Sequence, residues 1–172
     1  MKQRRVVFIR HGQTDWNAQM RWQGHTDIPL NSIGREEARG VGRLLRETQI
    51  EACVTSDLVR ARETARIVLE GRPAELEIDA RLREVHAGEA EGRTMDEVIR
   101  LFGADSVDRW RDLNDREFRF PQGESKSDVL KRAQRGLQEF LERSSGATVA
   151  VVFHSLVMRV LLHSLLPDLQ HP

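Results

Sequence analysis

The chain has little of three features that would place it in a special class of protein. It has one cysteine, Cys53, among 172 residues, so no disulfide can form within it, which fits a reducing cytosol. No apolar run approaches the roughly 20 residues that a membrane span requires. The apolar run at residues 6–9 is too short for a signal peptide. We therefore expect a cytoplasmic protein without a membrane partner.

The chain also lacks net charge, since 27 basic residues balance 27 acidic ones. An overall positive field for nucleic acid is therefore absent, and any anion must be bound by a local cluster of arginines. The sequence contains no P-loop, no GxGxxG motif, no GxSxG elbow and no HExxH pair. A single cysteine excludes a zinc ribbon as well, and we expect neither a metal nor another cofactor.

Short apolar runs alternate with amphipathic segments along the chain, which favours one α/β domain over residues 1–172. Apolar runs predict strands at 6–9, 51–56, 75–79 and 147–154. Helical spacing predicts helices at 33–47, from 56 onward with Ser56 as a cap, and at 94–102, 124–143 and 157–166. Residues 103–122 have no clear pattern. We expect a three-layer α/β/α sandwich with a mainly parallel central sheet.

Polar residues directly follow three of the predicted strands, at the edge where parallel α/β sheets bind their ligands. They are Arg10, His11 and Gly12, then Ser56 to Arg60, then His154 and Ser155. A guanidinium matches phosphate oxygens, and an imidazole can act as base, ligand or nucleophile. Gly12 would let the backbone approach an anion. A simple polar turn after residue 9 and a structural histidine at 154 are the competing interpretations.

Two further features could take part in chemistry at this edge, an arginine that favours an anion and a loop carboxylate that could act as an acid. Arg60 lies near the start of a predicted helix, where a cation opposes the helix dipole but an anion is favoured. The charged loop at 80–93 holds several carboxylates, and one of them could act as a general acid if it folds into the crevice. The spacing alone does not tell which carboxylate that is.

Six sequence blocks resemble the histidine phosphatase superfamily, branch 1, the group that includes cofactor-dependent phosphoglycerate mutase. The blocks are RHGQTDWN at 10–17, GHTDIPLNSIGREEAR at 24–39, TSDLVRARETA at 55–65, LREVHAGEAEGR at 82–93, PQGES at 121–125 and VAVVFHSLVMRVLL at 149–162. They occur in the order of the family and span nearly the whole chain. The resemblance implies a phosphoglycerate mutase-like fold and chemistry on a phosphate ester.

The resemblance also implies a role for each matching residue. His11 would be the nucleophile that becomes a phosphohistidine, and Glu84 would give a proton to the leaving oxygen. His154, as the third catalytic residue, would complete the phosphate pocket. Further contacts with phosphate or substrate would come from Arg10, Asn17, Gln23, Gly24, Arg60 and Ser155. Ser155 stands where the family usually has glycine. No metal is needed, because guanidinium groups supply the positive charge.

Three functions stay open at this point. The first is a metal-independent phosphomonoesterase that hydrolyses a small phosphorylated metabolite, and it leads because the family's mutases are longer than this chain. The second is mutase-type phosphotransfer, and the third is a weakly active module that binds a phosphorylated ligand. Candidate substrates are sugar phosphates, phosphoglycerate-type acids, phosphoserine and α-ribazole phosphate. The oligomeric state is open, with a homodimer as one alternative.

The unassigned segment at 103–122 is rich in arginine. A lid that reads a second acidic group of the substrate could be formed by Arg109, Arg111, Arg116 and Arg119. Solvated surface charges are the more common interpretation of such residues.

Overall fold

The computed structural model describes residues 4–166, so the predicted domain limits at 1 and 172 lie outside the described residues. Within that range one sheet has four strands, in the order β1-β4-β2-β3, and every adjacent pair is parallel. The strands are β1 (Arg5–Arg10), β2 (Ala52–Thr55), β3 (Glu75–Ile78) and β4 (Thr148–Phe153). The prediction of a parallel sheet is confirmed.

Helices connect the strands and flank the sheet. Within residues 4–166 they are α1 (Asp15–Ala18), α2 (Ser32–Leu44), α3 (Val59–Val68), α4 (Met95–Phe102), α5 (Ser106–Arg111), α6 (Lys126–Arg143) and α7 (Ser155–Leu165). Two 3₁₀ turns, Ala80–Leu82 and Gly88–Ala90, lie in the charged loop after β3. No helix in the described part of the chain is both long and apolar enough to cross a membrane.

The sheet separates two apolar cores, and strand β4 contributes to both. Val151 and Phe153 belong to the core on the side of α6 and α7. Ala150 and Val152, which point to the opposite face, belong to the core that contains residues of α3. Successive side chains of β4 are fully buried on both sides, which explains its unbroken apolar run. The three-layer α/β/α prediction is confirmed.

Strand β1 is less buried than its sequence suggests. Its run of four apolar residues predicts burial on both faces, yet only Ile9 is buried and residues 6–8 are half-buried. In the described sheet β1 pairs with β4 alone, so one of its edges has no neighbouring strand. The apolar run identifies a strand of the sheet but not its place within the sheet.

The predicted cap of α3 is wrong. The helix begins at Val59 after Leu58, and no side chain of its own segment caps it. The backbone N–H of Val59 instead donates to Oδ1 of Asp27 at 2.7 Å, while Oγ of Ser56 accepts from the N–H of Leu58. The cap therefore comes from a residue more than 30 positions away, which sequence spacing cannot reveal.

The segment at 103–122, which has no clear sequence pattern, contains the short helix α5. Its six residues are too few to show helical periodicity. Lys126, buried at the start of α6, holds this segment with its ammonium group. It donates to the carbonyls of Arg109 at 3.0 Å and Asp115 at 2.8 Å. The segment is thus tied to α6, and it places Trp110 near the ends of the strands.

Gly12 makes a backbone contact rather than opening a path for an anion. A Cβ atom on Gly12 would lie 2.3 Å from the carbonyl oxygen of Gly34, which is in the first turn of α2. A Cβ atom on Gly34 would lie 2.0 Å from the carbonyl oxygen of Gln13. The two glycines therefore let α2 pack directly on the chain that leaves β1.

Replacement of Gly34 by alanine is expected to destabilise the protein by about 1–3 kcal/mol, because the added Cβ overpacks the contact with Gln13. Gly40→Ala, in the same helix, is the matched control. Its Cβ would meet only the end of Arg43, at 3.8 Å, and a gain of about 0.5–1 kcal/mol is expected from lower chain entropy. Urea denaturation measures both free energies. Equal stabilities for the two variants would contradict the proposed packing.

Candidate active site

The ring of His11 is held in one tautomer by the backbone carbonyl of the next residue, Gly12. His11 follows β1, and its backbone N–H donates to the carbonyl of Phe153 on β4 at 3.0 Å. The ring atom Nδ1 lies 2.7 Å from the carbonyl oxygen of Gly12. Because a carbonyl oxygen can only accept, Nδ1 must carry the proton. The lone pair of the neutral ring is therefore on Nε2.

The environment of His11 keeps the ring neutral. Burial lowers the pKa of His11 to about 3, with the positive charge of Arg60 as the next cause and that of Arg10 as a smaller one. The side chain is 7% exposed. Near neutral pH, His11 thus offers an unprotonated nitrogen beside guanidinium groups, which suits nucleophilic attack on an electron-poor centre.

His154 lies beside His11, as the strand-end prediction requires. It follows β4, and the centroids of the two rings are 5.1 Å apart. His154 is fully buried, and neither of its ring nitrogens has a hydrogen-bond partner among the described residues. Burial, followed by the charges of His11 and Arg60, holds the pKa of His154 well below its usual value. It does not line the cavity described below.

Arg60 is fully buried in the first turn of α3 and is only partly satisfied. It donates from Nη1 to the carbonyl of Thr26 at 2.9 Å and from Nη2 to the carbonyl of Gly24 at 2.8 Å. Its Nε is buried without a partner. Buried donors without partners are rare in proteins, so Arg60 and His154 together indicate a place for an acceptor-rich group.

Gly24, whose carbonyl oxygen accepts a hydrogen bond from Arg60, has a backbone conformation that favours glycine. Its φ is +51°, and a Cβ atom there would lie 1.9 Å from Oε1 of Glu91. Oε1 of Glu91 also accepts the N–H of His25 at 2.8 Å, and Oε2 accepts from Thr26. The loop that carries Gly24 is thus fixed against the charged loop after β3.

Asn17 and Gln23 are oriented by Thr14. Oδ1 of Asn17 accepts from the backbone N–H of Thr14 at 3.0 Å, in a capping box at the start of α1. Oε1 of Gln23 lies 2.9 Å from the hydroxyl oxygen of Thr14. Because both side-chain oxygens face Thr14, the amide nitrogens of Asn17 and Gln23 are left as donors for a ligand.

The carboxylate of Glu84 is placed by two backbone N–H groups. Oε1 accepts from its neighbour Val85 at 3.0 Å, and Oε2 accepts from Leu156, in the first turn of α7, at 3.3 Å. Glu84 is therefore the carboxylate of the charged loop that reaches the ends of the strands. The spacing of the loop could not select it, because both contacts depend on how the loop folds, and only the family resemblance pointed to Glu84.

These groups surround one cavity of about 180 Å³. Eight of the nine predicted site residues line it, and His154 is the exception: the eight are Arg10, His11, Asn17, Gln23, Gly24, Arg60, Glu84 and Ser155. The sequence missed seven lining residues: Arg21, Trp22, Val85, Ala87, Trp110, Leu156 and Arg159. The position of Arg159, one helical turn after Ser155, is a signal that could have identified it.

The cavity lining is strongly positive. It contains four arginines, at positions 10, 21, 60 and 159, and the single carboxylate of Glu84. Such a lining attracts an anion with more than one negative charge. In residues 4–166 no group of three or more histidine, cysteine, aspartate or glutamate side chains could hold a metal ion.

The arginines of the segment at 103–122 are solvated surface charges, the more common of the two interpretations, and they do not form a lid over the cavity. None of Arg109, Arg111, Arg116 and Arg119 is among the lining residues, and all four are exposed. Arg109 instead pairs with Asp115 at 2.8 Å. The segment contributes Trp110, whose ring lies 4.8 Å from that of Trp22 between centroids.

Comparison with known proteins gives consistent results. A family model described as "Histidine phosphatase superfamily (branch 1)" matches residues 6–171. The probable phosphoglycerate mutase GpmB of Serratia proteamaculans is 35% identical over 164 residues, which are 94% of this chain and 74% of that protein.

Two solved structures are also similar. A mycobacterial glucosyl-3-phosphoglycerate phosphatase matches with a TM-score of 0.86 and 32% identity, over 95% of this chain and 82% of the other. A putative α-ribazole-5'-P phosphatase from Escherichia coli K-12 matches with a TM-score of 0.82 and 29% identity, over 95% of this chain and 80% of the other.

The low pKa of His11 predicts a specific pH dependence of stability. Between about pH 3 and pH 6.5 the unfolded chain binds a proton at this ring and the folded chain does not. The stability contribution is therefore complete above pH 6.5 and is lost as the pH falls towards 3. At pH 5 the loss of unfolding free energy amounts to about 2 kcal/mol.

Replacement of His11 by asparagine, which does not titrate, should remove this component. The loss of unfolding free energy between pH 7.5 and pH 5 should be smaller in His11→Asn by about 2 kcal/mol. Denaturant titrations at the two pH values measure it. An equal loss in both proteins would show that His11 has an ordinary pKa.

Proposed function

The chain belongs to the histidine phosphatase superfamily, branch 1, and on this basis we propose that it is a metal-independent phosphomonoesterase. Its substrate is a small phosphorylated metabolite, and the reaction proceeds through a phosphohistidine at His11. The observation that carries the proposal is the bond from Nδ1 of His11 to the carbonyl of Gly12, which leaves the Nε2 lone pair available in a positively charged cavity.

In the first step, Nε2 of His11 attacks the phosphorus atom of the ester. The N–P bond forms as the P–O bond to the metabolite breaks, and the electron pair of that bond leaves with the oxygen. Glu84, with its carboxyl protonated, gives its proton to that oxygen. The products of the step are a free alcohol, a phosphohistidine and an ionised Glu84.

Four donor groups balance the charge of the phosphoryl oxygens. Arg60 supplies its unpartnered Nε, and Arg10, at the end of β1, is exposed at the cavity and free to turn towards the phosphate. The amide nitrogen of Asn17 is the third donor. The fourth is the N–H of the neutral His154 ring, which lies outside the cavity lining, 5.1 Å from the His11 ring between centroids, and has no partner of its own among the described residues. Arg60 and Asn17 are already held by their own hydrogen bonds, so these donors stabilise the transition state without reorganisation, whereas Arg10 has to turn.

In the second step a water molecule attacks the phosphohistidine. Glu84, now ionised, takes one proton from the water as the O–P bond forms and the P–N bond breaks. The electron pair returns to Nε2, inorganic phosphate leaves, and both side chains are restored. The proton that Glu84 gives up in the first step is replaced by the one it takes from water in the second, and His11 stays neutral in the resting state.

The phosphatase activity has support from the neighbours with solved structures, two of which are named as phosphatases. The alternative is phosphoglycerate mutase-type transfer, which the name of the Serratia relative favours. A mutase would return the phosphoryl group to the same metabolite at another position. The cytoplasmic location and the homodimer stay predictions.

The phosphohistidine can be tested by labelling. The wild-type protein, incubated with ³²P-labelled substrate in EDTA, should acquire a label that is stable in base and lost in acid, because a P–N bond has that stability. His11→Ala should lose the label and at least about 10³-fold of the hydrolysis of p-nitrophenyl phosphate. His163→Ala, outside the cavity on α7, is the control and should retain both.

Three outcomes would count against the proposal. A label that survives in His11→Ala would exclude this residue as the nucleophile. Activity that EDTA removes and a divalent metal restores would exclude the metal-independent reaction. Interconversion of 3-phosphoglycerate and 2-phosphoglycerate without release of phosphate would favour the mutase.

We further propose that the substrate carries a second anionic group. Arg159 lines the cavity from α7, and it donates to the carbonyl of Arg111, at 3.1 Å, rather than to a carboxylate. Arg21 also lines the cavity, but unlike Arg159 it already has an ion pair with a carboxylate, that of Glu97, at 3.7 Å. A carboxylate or second phosphate on the substrate would find a charge partner in Arg159.

Arg159→Ala should raise KM about 10-fold for 3-phosphoglycerate and leave KM for p-nitrophenyl phosphate within about twofold, since only the first has a second anion. Arg116→Ala, an arginine outside the cavity lining, is the matched control. Steady-state kinetics on both substrates measures the difference. Equal changes for the two substrates would show that Arg159 does not read a second charge.

A further inference from the structure

One guanidinium group holds the backbone that leads to Glu84. Arg132, on α6, donates from Nη1 to the carbonyls of Arg81 and Arg83, both at 2.7 Å. It donates from Nη2 to the carbonyl of Glu84 at 2.8 Å. The Arg132 side chain is 18% exposed, so water competes weakly for these bonds. One side chain thus satisfies three carbonyls within four residues.

The guanidinium is itself fixed by Glu124. The two side chains form a bidentate pair, with Nε to Oε1 at 2.9 Å and Nη2 to Oε2 at 2.8 Å. Oε2 of Glu124 also accepts the backbone N–H of His86 at 2.9 Å. Burial raises the pKa of Glu124, but the bonds from Arg132 and His86 outweigh it and leave this pKa below its usual value. Glu124 belongs to the PQGES block, which the proposed mechanism does not otherwise use.

A second donor reaches the same carbonyl from the substrate side. His25 donates from Nε2 to the carbonyl of Glu84 at 2.7 Å. His25 directly follows Gly24, whose carbonyl accepts from Arg60. The carbonyl of Glu84 therefore has two donors, and its carboxylate has two backbone donors. Hydrogen bonds therefore fix both the backbone carbonyl and the side-chain carboxylate of Glu84. A glutamate that served only solubility would need none of these bonds.

We infer that Arg132 is a positioning residue for Glu84. By fixing the carbonyls of residues 81, 83 and 84, it sets where the carboxyl meets the leaving oxygen, and Glu124 keeps the guanidinium in place. Arg132 touches neither the phosphate nor the reacting atoms, and it is not a cavity-lining residue. The inference rests on the proposed role of Glu84 as proton donor in the first step.

A positioning role for Arg132 affects different substrates unequally, which a purely structural role would not. Proton donation matters when the leaving group is an alkoxide, and it matters little when p-nitrophenolate leaves, because that anion is stable without a proton. A proton donor contributes about 10²–10⁴-fold, and a displacement of about 1 Å can cost 10²-fold. Loss of Arg132 should therefore slow the first step on alkyl phosphates selectively.

The experiment measures phosphoenzyme formation in a single turnover by rapid quench, with glycerol 3-phosphate and with p-nitrophenyl phosphate. Arg132→Gln should be slowed about 10²-fold on the alkyl ester and less than about threefold on the aryl ester. Glu84→Gln should show the same pattern and serves as the reference. Arg135→Gln is the matched control, since Arg135 lies on the same helix, is exposed and bonds to Glu139.

The outcomes separate this inference from the proposed function. Equal slowing on both esters, or no slowing on either, would overturn the positioning role of Arg132. If the wild-type protein forms no phosphoenzyme with either ester, the proposed function fails first. Should Arg132→Gln not fold, Arg132→Lys replaces it, because lysine keeps the positive charge but cannot make the five hydrogen bonds that the planar guanidinium of Arg132 makes. The same selective slowing is expected there.

Discussion

The hydrogen bond from Nδ1 of His11 to the carbonyl of Gly12 is the interaction on which the proposed chemistry depends. It commits the only ring proton of a neutral imidazole and leaves the other nitrogen free. The carbonyl of Gly12 can face the ring because the backbone at Gly12 packs directly on the first turn of α2, where Gly34 has no side chain to prevent the contact. A side chain at either glycine would move that carbonyl.

The sheet gives this local arrangement a rigid base. Strand β1 pairs with β4 in register, with Arg10 opposite Phe153, so the residues that follow the two strands, His11 and His154, arrive at the same edge. Burial keeps both rings neutral, and Arg60 adds positive charge without a hydrogen bond to either ring. A neutral nucleophile can thus lie in a positive cavity, where a protonated histidine would be repelled.

The buried polar groups of the site that lack a hydrogen-bond partner among the described residues favour the binding of an anion. Both ring nitrogens of His154 and Nε of Arg60 have no partner within the described protein, and a buried N–H of this kind costs free energy until an acceptor arrives. The phosphoryl group supplies several acceptors at once. Glu84 adds the one carboxyl group of the cavity lining, and Arg132 and His25 keep its backbone in place.

Much of this could be predicted from the sequence, and the remainder has identifiable physical reasons. The unbroken apolar run of β4 and the polar residues after it were enough to place His11 and His154 at one edge. The spacing could not choose Glu84, because its position depends on Arg132, which is 48 residues away. The helix α5 was missed since six residues show no period. His154 lies beside His11 as expected, but it is not among the residues that line the cavity.

The tautomer and charge of His11 test the account most directly. Long-range ¹H–¹⁵N NMR of ring-labelled protein distinguishes a protonated Nδ1 from a protonated Nε2 and from the doubly protonated ring. At pH 5 the account predicts a neutral His11 ring with its proton on Nδ1, since burial lowers the pKa to about 3. A ring at pH 5 that is doubly protonated, or that carries its single proton on Nε2, would contradict it.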